Sequence, residues 1–282
     1  KIQQGSIFSL VGESGCGKST TARTIIKLIE PAGGRIVFLG NDITDLKPNQ
    51  MKTIRRNIQM IFQDPYASLN PRYKVIKTII EPLLFHNKNM SRKEAEKKAL
   101  ELLERVGIRP EQSIRYPHQF SGGQRQRIGI ARALAVEPKL IIADEPVSAL
   151  DVSIQAQIIN LLMDLKDYFN LSFLFIAHDL SVVKHISDKI AIMYLGKIVE
   201  RGDTENIFRN PLHPYTKLLI SSIPMLNEKP LFEGNVEIKG EIPSPIFLPK
   251  GCYFSDRCPF VEDKCREKYP QECEPEKEHI VS

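Results

Sequence analysis

Hydrophobic positions along this chain gather into short unbroken runs rather than alternating ones. "SIFSLVG" closes at Gly12, "IQMIFQD" near Gln63, "LIIADEP" at Asp144 and Glu145, and "LSFLFIAHD" at His178. Runs of this length without alternation predict strands buried on both faces. Helical periodicity separates them, the arrangement of an α/β fold built on a parallel sheet. Each run delivers a polar group at its C-terminal end, and in open α/β sheets ligands bind beyond those ends. The pattern therefore aims Lys18, Gln63, Asp144, Glu145 and His178 toward one region.

Between the runs, "RIVFLGNDI" (35–43) carries a Gly-Asn-Asp turn after a short strand and predicts a small β element. "SRKEAEKKALELLERVGI" (91–108) predicts a helix, with Ser91 and Glu94 as a capping box and Gly107 at its stop. Residues 60 to 120 thus form a helical insert, and the helical subdomain is expected over about 64–135. Beyond residue 205 the pattern changes. "FRNPLHPYTKLLISSIP" offers one short helix, after which Pro224, Pro230, Pro243, Pro245 and Pro249 punctuate the chain. A boundary near 205 divides a domain over 1–205 from a C-terminal extension over 206–282.

Composition changes this picture little. With 282 residues, 42% hydrophobic and 26% charged, the chain suits one large globular domain with an appendage. The net charge of +5 is dispersed, so an anionic ligand is permitted and nucleic acid is not demanded. No apolar stretch approaches the roughly 18 residues of a membrane span. No leader is visible either, although the start at Lys1 on a turn-like "KIQQG" is what a trimmed N-terminus would show. Of five cysteines, Cys16 stands alone, while Cys252, Cys258, Cys265 and Cys273 crowd the C-terminal end.

Candidate chemistry begins with "GESGCGKST" (12–20), a match to GxxxxGK[ST]. Glycines let successive backbone N–H groups turn inward around phosphate oxygens, and the following helix presents its positive end to the same anion. Gly12, Glu13, Ser14, Gly15, Cys16, Gly17, Lys18, Ser19 and Thr20 form this loop. Lys18 is expected at the β- and γ-phosphates and Ser19 on Mg²⁺. Asp144 would hold the same Mg²⁺, and Glu145 beside it could act as general base toward water. Taken singly, Gln63 and His178 read as a surface polar group and a core histidine. Their order and strand-end placement lift them above that reading. The remaining histidines, His86, His118, His185, His213 and His279, read as structural.

"FSGGQRQR" (120–127) completes the set. Ser121 is a good N-cap, and Gly122 and Gly123 leave bare backbone at the positive end of a helix running from about Gln124 to Ala135. Together with the phosphate loop and the acidic strand end, this stretch resembles the ABC-type ATPases. Their signature is LSGGQ, with Phe120 here in place of the leading leucine. The resemblance covers about residues 5–205 and implies a P-loop NTPase fold of ABC type, with a small antiparallel β element and a helical signature subdomain. Further roles follow from the resemblance. Gln63 is the Q-loop glutamine that contacts Mg²⁺ and water, Asp151 closes the D-loop "SALD", and His178 is the switch histidine at the γ-phosphate. Ser121, Gly122, Gly123 and Gln124 would close over ATP held by another subunit. The adenine-stacking aromatic of the family lies upstream of the phosphate loop. Only Phe8, within the strand, precedes Gly12, so that contact is expected outside the present sequence.

"NPLHPYTKLLISSIP" (210–224) and "QDPYASLNPR" (63–72) are similar to the oligopeptide and dipeptide importer ATPases. In that subfamily a [4Fe–4S] cluster is implied at the C-x5-C-x6-C-x7-C cysteines. Zinc is the runner-up, although structural zinc usually shows tighter pairs. Free thiols remain a third reading, and disulfides are disfavoured in a cytosolic ATPase.

The resemblance implies an ATPase powering di- and oligopeptide import from the cytoplasmic face of the cell membrane, with ATP and Mg²⁺. Its implied partners are an identical or homologous ATPase subunit, two transmembrane permease subunits and, indirectly, an extracytoplasmic peptide-binding protein. Two alternatives stand beside it: the ATPase of a nickel or oligosaccharide importer, and a soluble ABC ATPase acting on nucleic acid or ribosomes. The latter typically fuses two cassettes or inserts coiled coils, and this chain has one cassette and no heptad run. Intact Lys18, Gln124, Glu145 and His178 argue against a catalytically weak partner of an asymmetric pair.

Overall fold

The computed structural model describes residues 1–223 and 248–282, so Pro224, Pro230, Pro243 and Pro245 lie outside the described residues. The strands are β1 (Ile7–Val11), β2 (Val37–Phe38), β3 (Asn41–Asp42), β4 (Ile58–Ile61), β5 (Leu140–Asp144), β6 (Ser172–Ala177), β7 (Lys189–Tyr194), β8 (Lys197–Asp203), β9 (Cys273–Glu276) and β10 (His279–Val281). The helices are α1 (Lys18–Ile25), α2 (Pro48–Asn57), α3 (Val75–His86), α4 (Arg92–Arg105), α5 (Gly122–Leu134), α6 (Val152–Phe169), α7 (Leu180–Ile186), α8 (Thr204–Arg209), α9 (Pro214–Ser221) and α10 (Asp263–Glu267). All four apolar runs are strands. The chain packs as two compact units. One holds Lys1–Ser6 and Ser19–Ile176, the other Ile7–Lys18 and Ala177–Ser282.

In the first unit β4, β5 and β6 pair in parallel, with Ile58 opposite Leu140 and Asp144 opposite Ile176. Every residue of β5 and β6 is buried, as unbroken apolar runs require. β2 and β3 form the expected small antiparallel element. Helices α3, α4 and α5 pack on one another and bury Ile79, Leu83, Ala99, Leu103 and Ile128. Each leucine or isoleucine so buried contributes about 2 kcal/mol. α4 is capped as its sequence predicts. Glu94 N donates to Ser91 Oγ (3.2 Å) and Ser91 N donates to Glu94 Oε2 (2.8 Å). At its other end, Ile108 N reaches Leu103 O and Gly107 N reaches Glu104 O, which satisfies the last carbonyls.

In the second unit β1 pairs in parallel with β7, and β8, β10 and β9 continue antiparallel from it. The hairpin β7–β8 is the part the apolar pattern did not announce. Its turn is Leu195–Gly196, both at positive φ, and leucine is not a residue that marks such a turn in sequence. The C-terminal strands reach β8 through Glu200, which is fully buried. Its carboxylate accepts from Leu212 N and His213 N (both 2.9 Å) and lies 2.7 Å from His279 Nε2. Three partners compensate a charge that would otherwise be costly to bury.

His213 caps α9, its Nδ1 accepting from Tyr215 N at 3.1 Å. That bond requires an unprotonated Nδ1, and burial pushes the imidazole down to about 4. The unfolded chain titrates near 6.5 and so binds the additional proton between those values. Stability contributed by neutral His213 is complete above about pH 6.5 and is lost as pH falls toward about 4. We expect the urea-unfolding free energy to drop by about 2 kcal/mol between about pH 7 and about pH 5. His213→Asn, which can still cap, should flatten that slope. An unchanged slope in the variant would refute the assignment.

Candidate nucleotide site

The phosphate loop leaves β1 at Gly12 and enters α1 at Lys18. Lys18 is only 4% exposed, and its ammonium donates to Gly12 O (2.7 Å) and Glu13 O (3.0 Å). Gly17 has φ +106°, a conformation side chains rarely adopt, so glycine is required for the loop to curl into the helix. Ser14, Gly15 and Thr20 are exposed. Cys16 is buried and burial raises its thiol, against the lowering influence of Lys18. It packs, as a passenger position would.

At the end of β5, Ser19 Oγ donates to Asp144 Oδ1 at 2.8 Å. This places a hydroxyl and a carboxylate side by side, the oxygen donors that suit Mg²⁺ shared with phosphates. Gln63, exposed just past β4, donates from Nε2 to Glu145 Oε2 at 3.0 Å. Glu145 has φ +45°, a strained conformation for a residue with a side chain. Its amide is tied to Ile176 O at 3.0 Å. Tertiary structure therefore brings Ser19, Gln63, Asp144 and Glu145 together in the first unit. His178 lies in the second unit, exposed, immediately after β6.

α5 begins at Gly122, two residues before the position the sequence suggests. Ser121 is its N-cap: Gln124 N donates to Ser121 Oγ (3.3 Å) and Ser121 N donates to Gln124 Oε1 (3.0 Å). Phe120 is 5% exposed, a packing residue like the leucine it replaces. The glycines have a reason beyond exposed backbone. A Cβ on Gly123 would stand 2.5 Å from Ile154 Cγ2, and one on Gly122 would stand 3.3 Å from Leu150 Cδ2. The signature helix thus seats directly on the D-loop and α6. Asp151 opens α6, exposed, with its carbonyl accepting from Ile154 N. Ile154 is β-branched and cannot swing aside cheaply. Gly123→Ala should therefore cost about 1–3 kcal/mol in chemical denaturation, as overpacking does. An unchanged denaturation midpoint would contradict this packing.

The C-terminal cysteines differ from the expected cluster. Among the described residues, no three His, Cys, Asp or Glu side chains come together to hold a metal ion. Cys252 N donates to Cys265 O at 2.7 Å, and Cys258 and Cys265 act electrostatically on the Cys252 thiol. Cys273 lies exposed on β9, where the ladder with β10 sets it opposite Val281. Burial raises the thiols of Cys252 and Cys258. As arranged, the four cysteines are free thiols and form no ligand cage among the described residues.

Comparison with known proteins identifies the family. The ABC transporter family model matches residues 1–148, and the model of the oligopeptide/dipeptide transporter C-terminal region matches residues 199–265. The chain belongs to the ABC transporter family. It is 53% identical over 283 residues to the oligopeptide transport ATP-binding protein AppF of Bacillus subtilis (strain 168), covering 100% of this chain and 86% of that protein. It is 51% identical over 273 residues to the oligopeptide transport ATP-binding protein OppF of Escherichia coli (strain K12), covering 96% and 81%. The dipeptide transport ATP-binding protein DppF of Haemophilus influenzae is 50% identical over 270 residues, covering 96% and 82%. Among solved structures, a dimeric ATP-binding cassette in a post-hydrolysis state bound to ADP and Pi matches with TM-score 0.66 and 32% identity, over 72% of this chain and 88% of that one.

Sequence reasoning missed two residues at this site. Tyr215 and Arg257 both reach Glu13 of the phosphate loop, from more than two hundred positions away. Tyr215 stands within the "NPLHPYTKLLISSIP" stretch, but no sequence signal ties it or Arg257 to the loop.

Proposed function

We propose that this chain is the subunit that binds and hydrolyses ATP to power di- and oligopeptide import, seated peripherally on the cytoplasmic face of the cell membrane. Residues 1–205 form the ATPase domain and 206–282 the importer-type extension. Among the described residues no helix is long and apolar enough to cross a membrane, and the proposal assigns the path to two permease subunits. The observation that carries the reading is the joining of Ser19 to Asp144 and of Gln63 to Glu145 at one strand end. The peptide assignment draws on the match of residues 199–265 and on the peptide-transport names of the relatives.

Each residue has a task in the chemistry. Loop amides from Gly12 to Thr20 and the Lys18 ammonium neutralise the phosphates. Ser19, Gln63 and Asp144 would hold Mg²⁺, which would supply positive charge to offset that of the phosphates. Glu145 takes the proton of the attacking water, and the Gln63 amide fixes which carboxylate oxygen faces it. His178 contacts the γ-phosphate. Ser121, Gly122, Gly123 and Gln124, with Asp151, complete the site held by a second ATPase subunit, so each chain carries two half-sites. Testing this reading means disabling one half at a time, by Glu145→Gln for the hydrolytic half and Ser121→Arg for the signature half.

The C-terminal cysteines as a [4Fe–4S] site belong to the same proposal, supported by the subfamily resemblance alone. Anaerobically purified protein should show the broad visible absorption of such a cluster and bound iron. Colourless, iron-free protein of full ATPase activity would remove the cluster from the proposal.

A further inference from the structure

The second unit contains a contact that neither the motifs nor the family match accounts for. Glu13, the second residue of the phosphate loop, is engaged at all three of its polar groups. Its amide donates to Tyr215 Oη at 2.9 Å, and its carbonyl accepts from Lys18 Nζ at 3.0 Å. Its carboxylate is gripped on both oxygens by Arg257, with Nη1–Oε2 at 2.9 Å and Nη2–Oε1 at 3.1 Å. The pair is sheltered, with the Arg257 side chain 9% and the Glu13 side chain 23% exposed. Two parallel bonds of this kind fix direction as well as distance.

Arg257 is itself held. Its Nη1 lies 3.4 Å from Tyr194 Oη, and its guanidinium sits 5.8 Å from the ring centres of Tyr194 and Phe254. Phe254 packs among Tyr194, Tyr215 and His213. The segment bearing Arg257 is closed by the bond from Cys252 N to Cys265 O. A rigid arm thus runs from the C-terminal extension to Glu13, and through the Glu13 carbonyl to the Lys18 ammonium.

Charge explains why such an arm matters. Glu13 puts a carboxylate beside a loop built to hold a polyphosphate, and like charges in a sheltered place repel strongly. Arg257 cancels that charge and turns the carboxylate toward the extension. We infer that Arg257 is a positioning residue for nucleotide binding, acting through Glu13 on the phosphate loop, so that the C-terminal extension sets the affinity for ATP. The inference rests on the phosphate-loop reading above and assigns the extension a task within the ATPase reaction itself.

The test uses the full chain and a fluorescent ATP analogue with Mg²⁺, together with KM, kcat and the melting temperature. Arg257→Ala should weaken analogue binding and raise KM about tenfold, with kcat at saturation changed less than about threefold. Arg257→Lys should retain most of the affinity. Glu13→Gln combined with Arg257→Ala should recover it, because no uncompensated carboxylate remains. Arg257→Gln, which keeps length and packing, carries the test if the alanine variant does not fold. A lowered melting temperature with unchanged affinity would make Arg257 a structural tie only and overturn the inference. So would a double variant no better than Arg257→Ala. Lys18→Ala serves as the separate control. Wild-type analogue binding in that variant would sink the phosphate-loop reading itself, whatever Arg257 does.

Discussion

Glu145→Gln is expected to lower ATP hydrolysis at least about a hundredfold while leaving ATP binding intact, since a positioned general base contributes about 10²–10⁴ in rate. The substitution is nearly isosteric. It keeps the backbone at φ +45° and the tie from Glu145 N to Ile176 O, so the site should not collapse. What it removes is the basic carboxylate oxygen, and it sets an amide against the Gln63 amide that now donates to Oε2. Bound ATP should then persist, and a two-subunit closed form should accumulate in size-exclusion chromatography with ATP and Mg²⁺. Hydrolysis at the wild-type rate would remove Glu145 from the role of base. Loss of binding together with hydrolysis would instead show that the residue supports the fold of the site.

Ser121→Arg should produce a comparable loss of hydrolysis by a different route. Ser121 sits on the side proposed to meet another subunit's nucleotide, and its hydroxyl caps α5 at Gln124 N. Loss of the cap costs about 1 kcal/mol of stability. A bulky cation at that position blocks closure over the partner's phosphates. The variant's own phosphate loop is untouched, so it should bind ATP normally and yet hydrolyse it at less than about a hundredth of the wild-type rate. Mixing resolves the assembly. A mixed dimer of Ser121→Arg and Glu145→Gln chains contains one composite site carrying both lesions and one carrying neither. Activity well above either variant alone is expected, and a mixture as inactive as its parents would contradict composite sites.

These contrasts separate two kinds of information. The strands β1, β4, β5 and β6 were legible because residues buried on both faces must be apolar without interruption. The phosphate loop was legible because glycine, lysine and serine at fixed spacing are what backbone-held phosphate requires. The capping box of α4 is a local device, and local devices are written in consecutive residues. By contrast, the β7–β8 hairpin turned on Leu195–Gly196, and the strain at Glu145 depends on how β5 ends rather than on which residue stands there. In sequence, the glycine pair of the signature reads as bare backbone for a ligand. Ile154 and Leu150 show that the same glycines also answer to close packing inside the chain.

Local chemistry therefore sufficed, from sequence alone, for the α/β class, the phosphate loop, the acidic strand end and the signature cap. In each case the residues that act are neighbours, or repeat at the period of one element. Tertiary structure alone decided that Ser19 meets Asp144, that Gln63 meets Glu145, that Gly123 seats on Ile154, and that Arg257 grips Glu13 across 244 positions. Pairings between distant residues are settled by which apolar faces must be buried together, and a linear pattern records each face without naming the face that covers it.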